Sequence, residues 1–131
     1  MKLEYDNANV LLYDRFEVMK KVYDEDEDGY DDVPHCFYSF EFVPYILKQL
    51  RENNEREIKK IFNFVEMLMS SDDRDLVNLA EVSIIESLYF DHVCFTHKAA
   101  LLKHCGKLTL QSFIDCFDDD ERALWEKLKA A

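Results

Sequence analysis

Asp24, Asp26, Asp28 and Gly29 stand in D-x-D-x-D-G order, with Tyr30, Asp31 and Asp32 directly behind them. Alternating carboxylates supply hard oxygen ligands and the glycine allows a sharp turn. The run therefore reads as the first half of a calcium loop, with ligands at positions 1, 3 and 5 and the turn at 6. The second half departs from that template. Position 8, normally aliphatic, is Asp31, and position 12, where a bidentate glutamate should close the cage, is His35. Pro34 falls where the exit helix should already run, and a proline pushes the residue before it out of helical conformation. Seven acids within residues 24–32 also produce this spacing by composition alone. A solvated acidic loop and a surface built to meet something basic stand beside the calcium reading.

Charge favours the basic partner. The chain has 131 residues and a formal net charge of -12, of which residues 24–32 contribute -7 and leave -5 for the rest. The flanks are balanced: residues 1–23 hold four acids and four bases, and residues 39–71 hold five of each. Like charges so close repel one another within a Debye length of about 8–10 Å. Opposite fields, in contrast, accelerate association roughly 10-fold to 1000-fold. Asp24, Asp26, Asp28, Asp31 and Asp32 would engage lysines and arginines, with Tyr30 as an aromatic anchor at the centre of the patch. The same charge opposes nucleic-acid binding, since phosphates would be repelled.

Other chemistry is sparse. Two glycines, neither in a phosphate-loop setting, argue against nucleotide binding. Cys105 follows His104, but neighbouring helix residues point about 100° apart and do not face each other. His92, His97, His104, Cys94 and Cys105 are the candidates for zinc. His97 and His104, read as two turns of one helix, would lie roughly 10 Å apart, too far for one tetrahedral ion. Cys36, Cys94, Cys105 and Cys116 include no C-x-x-C pair and sit among apolar neighbours, as reduced buried thiols do. Glu81 and Glu86 would point about 140° apart on an α-helical wheel. Glu86 is either hydrogen-bonded within the fold or paired with a partner's base. No constellation points to an enzyme, and no cofactor is implied.

The elements that must carry these residues are helical. Apolar content of 48% with ten Phe and seven Tyr supports a true core in one domain, 1–131, and two Gly with two Pro are too few for a turn-rich β architecture. Leu12, Phe16, Met19 and Tyr23 mark a helix over 8–23. The alternation of Cys36, Tyr38, Phe40 and Phe42 is strand-like, but a helix from Ser39 with Pro44 near its first turn is preferred. Ile58, Ile61, Phe62, Val65, Leu68 and Met69 stripe a helix over 55–69, with Glu55 spaced to pair with Lys59. Leu76, Leu79, Ala80, Ile84, Ser87 and Leu88 stripe another over 73–90. A helix over 94–104 should stop at Gly106 as a C′ glycine, Thr109 should cap the next, and Asp118-x-x-Glu121 opens the last around Trp125. The expectation is an all-α bundle of six or seven helices with one acidic loop at 24–35. The first residues lack a secretory apolar run and no stretch approaches about 18 uncharged apolar residues, so a soluble cytoplasmic protein is expected.

One stretch adds a resemblance. Residues 64–73 end a helix in an acidic turn, and Asn78-Leu79-x-Glu81-Val82-x-x-x-Glu86-x-Leu88 follows. This middle third resembles small bacterial proteins associated with polymorphic toxins, some of them similar to immunity proteins of contact-dependent growth inhibition systems. The resemblance implies a cytoplasmic antidote, monomeric or dimeric, that binds a cognate toxin domain of the nuclease kind and covers its basic active or substrate-binding surface. It makes Asn78, Glu81 and Glu86 positions of interest, as bundle or contact residues. The alternative is a calcium-responsive binding module using Asp24, Asp26 and Asp28.

Overall fold

Apolar residues at helical spacing in seven stretches, joined by short polar turns, fold as all-α structure with one core cluster. The structure, a computed structural model, describes residues 1–27 and 29–130. Asp28 therefore lies outside the described residues. A 3-10 turn, Tyr5–Asn7, leads into α1 (Ala8–Arg15) and α2 (Glu17–Glu25). After the acidic segment come α3 (34–51), α4 (Glu55–Met69) and α5 (74–90). The short α6 (Val93–Thr96) and α7 (Lys98–His104) precede α8 (Lys107–Asp115) and α9 (Asp119–Ala130). Nine helices and no strand are present among the described residues, two more than the upper end of the six or seven expected, because the 8–23 and 94–104 stretches each divide.

The first division is at Phe16, which leaves helical conformation at φ -131°, ψ 107°. Its carbonyl then accepts from the N–H of Met19 and Lys20 and opens α2. The kink drives the Phe16 ring into the core, 5.2 Å from the Phe42 centroid and 5.5 Å from that of Phe64. The second is at His97, whose φ of -131° separates α6 from α7, so His97 and His104 do not share one helix face as expected.

α4 is the central element. Ile58, Ile61, Phe62, Phe64, Val65 and Leu68 are all buried on it, and α3, α5, α7 and α8 pack around it.

α3 starts at Pro34, five residues before the expected Ser39. Proline at the first helical position needs no donor and brings a suitable φ, and Val33 before it is non-helical at φ -134°, ψ 63°. Phe37, Tyr38 and Phe42 are buried while Phe40 turns to solvent, so the strand-like alternation has no structural counterpart. The middle of α3, Tyr38–Phe42, is π-helical, and the N–H of Val43 bonds the carbonyl of Tyr38 five residues back. Pro44, next in line, has no N–H, and a π segment is one way a helix reorganises its bonding beside such a gap. α5 contains a second π segment, Ala80–Glu86, and the two pack against each other.

Gly106 differs from the expected left-handed C′ residue. Its φ is -71° and ψ 175°, and it opens α8. Thr109 lies inside that helix and not at its cap. At the last helix, the N–H of Glu121 bonds the Asp118 carboxylate, one half of the expected capping box.

Candidate functional site

The acidic segment is fastened at both ends. α2 stops at Glu25, and Gly29 takes a positive φ of 73° that favours glycine. Just beyond, Tyr30 stacks on Phe37 at 5.2 Å, its carbonyl accepts from Asn9 Nδ2 at 2.8 Å, and its hydroxyl meets Glu41 at 3.3 Å. Burial, with the Glu41 carboxylate nearby, raises the Tyr30 phenol above its ordinary pKa. Tyr30 therefore ties the segment to the core, in contrast to the free anchor expected from sequence. Tyr23 at the end of α2 donates its hydroxyl to Asp31, and that bond pushes its own pKa up to about 12. Asp31 and Asp32 stay exposed.

Two other acid-bearing segments join them. Ser71 Oγ donates to the Leu3 carbonyl at 2.5 Å, and the N–H of Tyr5 donates to Asp73 Oδ2 at 2.7 Å. That N–H is the main reason the Asp73 carboxyl is held below its ordinary pKa; the N–H of Asp75, also bonded by Asp73, adds to it. These bonds sew the N-terminal segment to the 70–73 turn. Glu4, Asp6, Asp72, Asp73 and Asp75 then line one cleft, in which Lys2 is the one base among the described lining residues. Tyr5 and Asp6 are shared with a second cleft that reaches Asn9, Asp31, Asp32 and Pro34, and a third continues to Gly29 and Val33. Together they form an acidic trough drawn from residues 4–6, 31–32 and 72–75. Sequence reading places Asp72 and Asp73 only in an acidic turn. The density of acids at 72–75 was the one available signal, and it does not say which segments meet.

The remaining expected residues fall elsewhere. Asp24 is exposed and paired with Lys20 at 2.9 Å, and this bond raises the lysine's pKa. Asp26 is half-buried at the end of α2. Among the described residues no three His, Cys, Asp or Glu side chains are placed to share a metal ion; the calcium set of Asp24, Asp26 and Asp28 includes a residue outside them. Glu81 and Glu86 lie near Cys116 of the α8 end, both adding to the burial that raises its thiol pKa. The 140° separation expected of them does not apply. In a π segment, bonds run from residue i to i+5, which brings residues five apart toward one face.

Other groups are structural in their surroundings. His104 Nε2 meets Glu55 Oε2 at 2.7 Å and Lys103 meets the same oxygen at 3.2 Å, so Glu55 pairs across to α7 and not with Lys59. Burial pushes the Cys94 thiol up to about 12 and raises that of Cys105 too. Sequence reading missed one nucleophile–base pair, His35 Nδ1 and Ser83 Oγ at 2.6 Å, contributed from α3 and α5. Ser83 is 2% exposed and lines none of the described clefts, so the pair ties the first turn of α3 to the π segment of α5.

Fold and site together define an all-α domain with an acidic trough built from three separate segments. No helix among the described residues is long and apolar enough to cross a membrane. The chain belongs to the family described as a domain of unknown function (DUF7674), which matches residues 10–123. No curated protein and no solved structure matches it.

Proposed function

We propose that this protein is a stoichiometric antidote that binds a basic toxin domain of the nuclease kind in the cytoplasm and covers its active or substrate-binding surface. The observation that carries this reading is the trough. Carboxylates from three segments converge on one concave surface, with a single base among its described lining residues. Such convergence raises the electrostatic energy of the folded chain, and a cationic partner relieves it. A surface of this kind presents negative charge as a nucleic-acid backbone does, which suits a protein whose own substrate is anionic. The resemblance of residues 64–88 to immunity proteins supports the same class.

Size-exclusion chromatography with the toxin domain encoded beside this chain tests the reading. A one-to-one complex is expected, weakened at least about tenfold when Asp6, Asp31, Asp32 and Asp72 are all changed to Asn, and weakened further as salt rises. Absence of a complex, or one indifferent to those four changes, would remove the proposal.

A further inference from the structure

Phe90 and Phe95 stand out from the turn that joins α5 to α6, 72% and 58% exposed. Between them His92 takes a positive φ of 63°, uncommon outside glycine, and the chain reverses there. Both rings rest on one aromatic base. The centroid of Phe90 lies 5.6 Å from Tyr89, Tyr89 5.5 Å from Phe117, and Phe117 6.1 Å from Phe95. Phe117 in turn stacks on the buried Trp125 at 5.4 Å. The pair is therefore preorganised although it faces water, and apolar side chains so placed mark contact surfaces. Beside it, the end of α3 and the turn enclose a cleft of about 350 Å³ lined by Leu47, Arg51, Asp91, Val93, Thr96 and His97. Arg51 and Asp91 share this cleft, yet among the described residues neither stands in an ion pair.

Charge decides what can cover this patch. Between Glu86 and Asp115 the chain has a single acid, Asp91, and Arg51 balances it in the cleft. The patch is thus formally neutral on a chain of -12. A strongly basic partner is drawn to the trough and gains little here, and an acidic one is repelled by the rest of the surface. Two copies of the chain repel each other across their acidic faces, and a neutral patch lets them meet without that penalty. A two-fold contact must also match itself, because the same surface serves both sides. One base and one acid that do not pair within the chain meet that requirement.

We infer that two copies of this chain join here as a two-fold dimer. Phe90 and Phe95 of each copy pack against the cleft of the other. Arg51 of one copy meets Asp91 of the other, and the second such pair follows by symmetry. The rings form an apolar core and the charges a polar rim, as in ordinary interfaces. This cleft shares no lining residue with those of the trough, so each copy keeps its trough. The contact does not depend on the antidote reading, and a toxin domain would still bind one per chain.

Sedimentation velocity of the full chain at physiological salt, across the micromolar range, tests this. The parent chain should pass from monomer to dimer as its concentration rises. Phe90→Ser with Phe95→Ser should weaken dimerisation at least about tenfold, with helical circular dichroism unchanged. Arg51→Asp sets Asp against Asp twice across the two-fold, and Asp91→Arg sets Arg against Arg, so each variant alone should be monomeric. Mixed in equal amounts, the two variants should dimerise, because both crossed pairs are restored. A purely structural role for either residue gives no such rescue. A parent chain that stays monomeric would overturn the inference, as would a dimer indifferent to the phenylalanine changes. A mixture that stays monomeric while the parent dimerises would overturn the crossed pairing. If the parent is monomeric and capture of the toxin domain needs Phe90, the patch belongs to that partner and the two-fold contact is wrong.

Discussion

Glu66 shows how a single side chain can settle where a distant helix begins. From the last turn of α4 its carboxylate accepts from the N–H of Leu108 and Thr109 at 3.1 and 2.8 Å and from Thr109 Oγ1 at 2.9 Å. Those are donors of the first turn of α8 that have no partner within the helix, and a negative charge there is also favoured by the helix dipole. The carboxylate lies so near Gly106 that an added Cβ would fall 2.4 Å from Glu66 Cδ. Glycine at 106 is thus required by close approach and not by a left-handed turn. Gly106→Ala should cost about 1–3 kcal/mol, read from the urea midpoint. In a Glu66→Ala background the same change should cost much less, because the clashing group is gone. An unchanged cost in that background would mean that the clash is not the cause. The local sequence around Gly106 looks like a helix stop, and nothing in it reveals a glutamate 40 residues upstream.

Phe16 plays the corresponding part among the elements. The repeat of Leu12, Phe16, Met19 and Tyr23 is legible as one amphipathic helix, and the burial of Leu12, Phe16 and Met19 agrees with it. The break is not legible, because it arises from Phe16 turning inward between Phe42 and Phe64 while Lys60 Nζ sits 4.8 Å above its ring. Phe16→Ala should therefore cost about 3–5 kcal/mol in urea denaturation. A loss below about 1 kcal/mol would show that the kink is set by the local backbone alone. The π segments follow the same logic. Pro44 reads in sequence as tolerated near a first turn, but it falls well inside α3, and the five-residue bonding just before it goes with the packing of α3 against α5. With it came the alignment of Glu81 and Glu86 that an α-helical wheel denies.

At the scale of the whole molecule, charge and fold work against each other. A net charge of -12 on 131 residues, concentrated further in the trough, destabilises the compact state by self-repulsion. The Debye length falls from about 30 Å at 0.01 M salt to about 10 Å at 0.1 M. Thermal stability should accordingly rise with sodium chloride between about 10 mM and 0.5 M. Asp6→Asn with Asp32→Asn should raise the low-salt Tm and flatten that dependence. A Tm that is flat or falling with salt in the parent chain would contradict strain of this kind. The expected opposition between stability and binding is familiar where a surface is shaped for a partner: the changes that ease folding are those that weaken association.

The all-α class, the α4 boundaries at 55 and 69 and most of the core stripe follow from the sequence by itself, because they depend on spacing within one segment and on the cost of leaving apolar side chains in water. The acidity of residues 24–32 is equally a local property. That Asp31 and Asp32 share a trough with Asp6 and Asp72, and that Tyr30 faces the core, were decided only by tertiary structure. The reason is physical. Each depends on which segments meet, and hydrogen bonds such as Tyr5 to Asp73, 68 residues apart, carry no periodic signal along the chain.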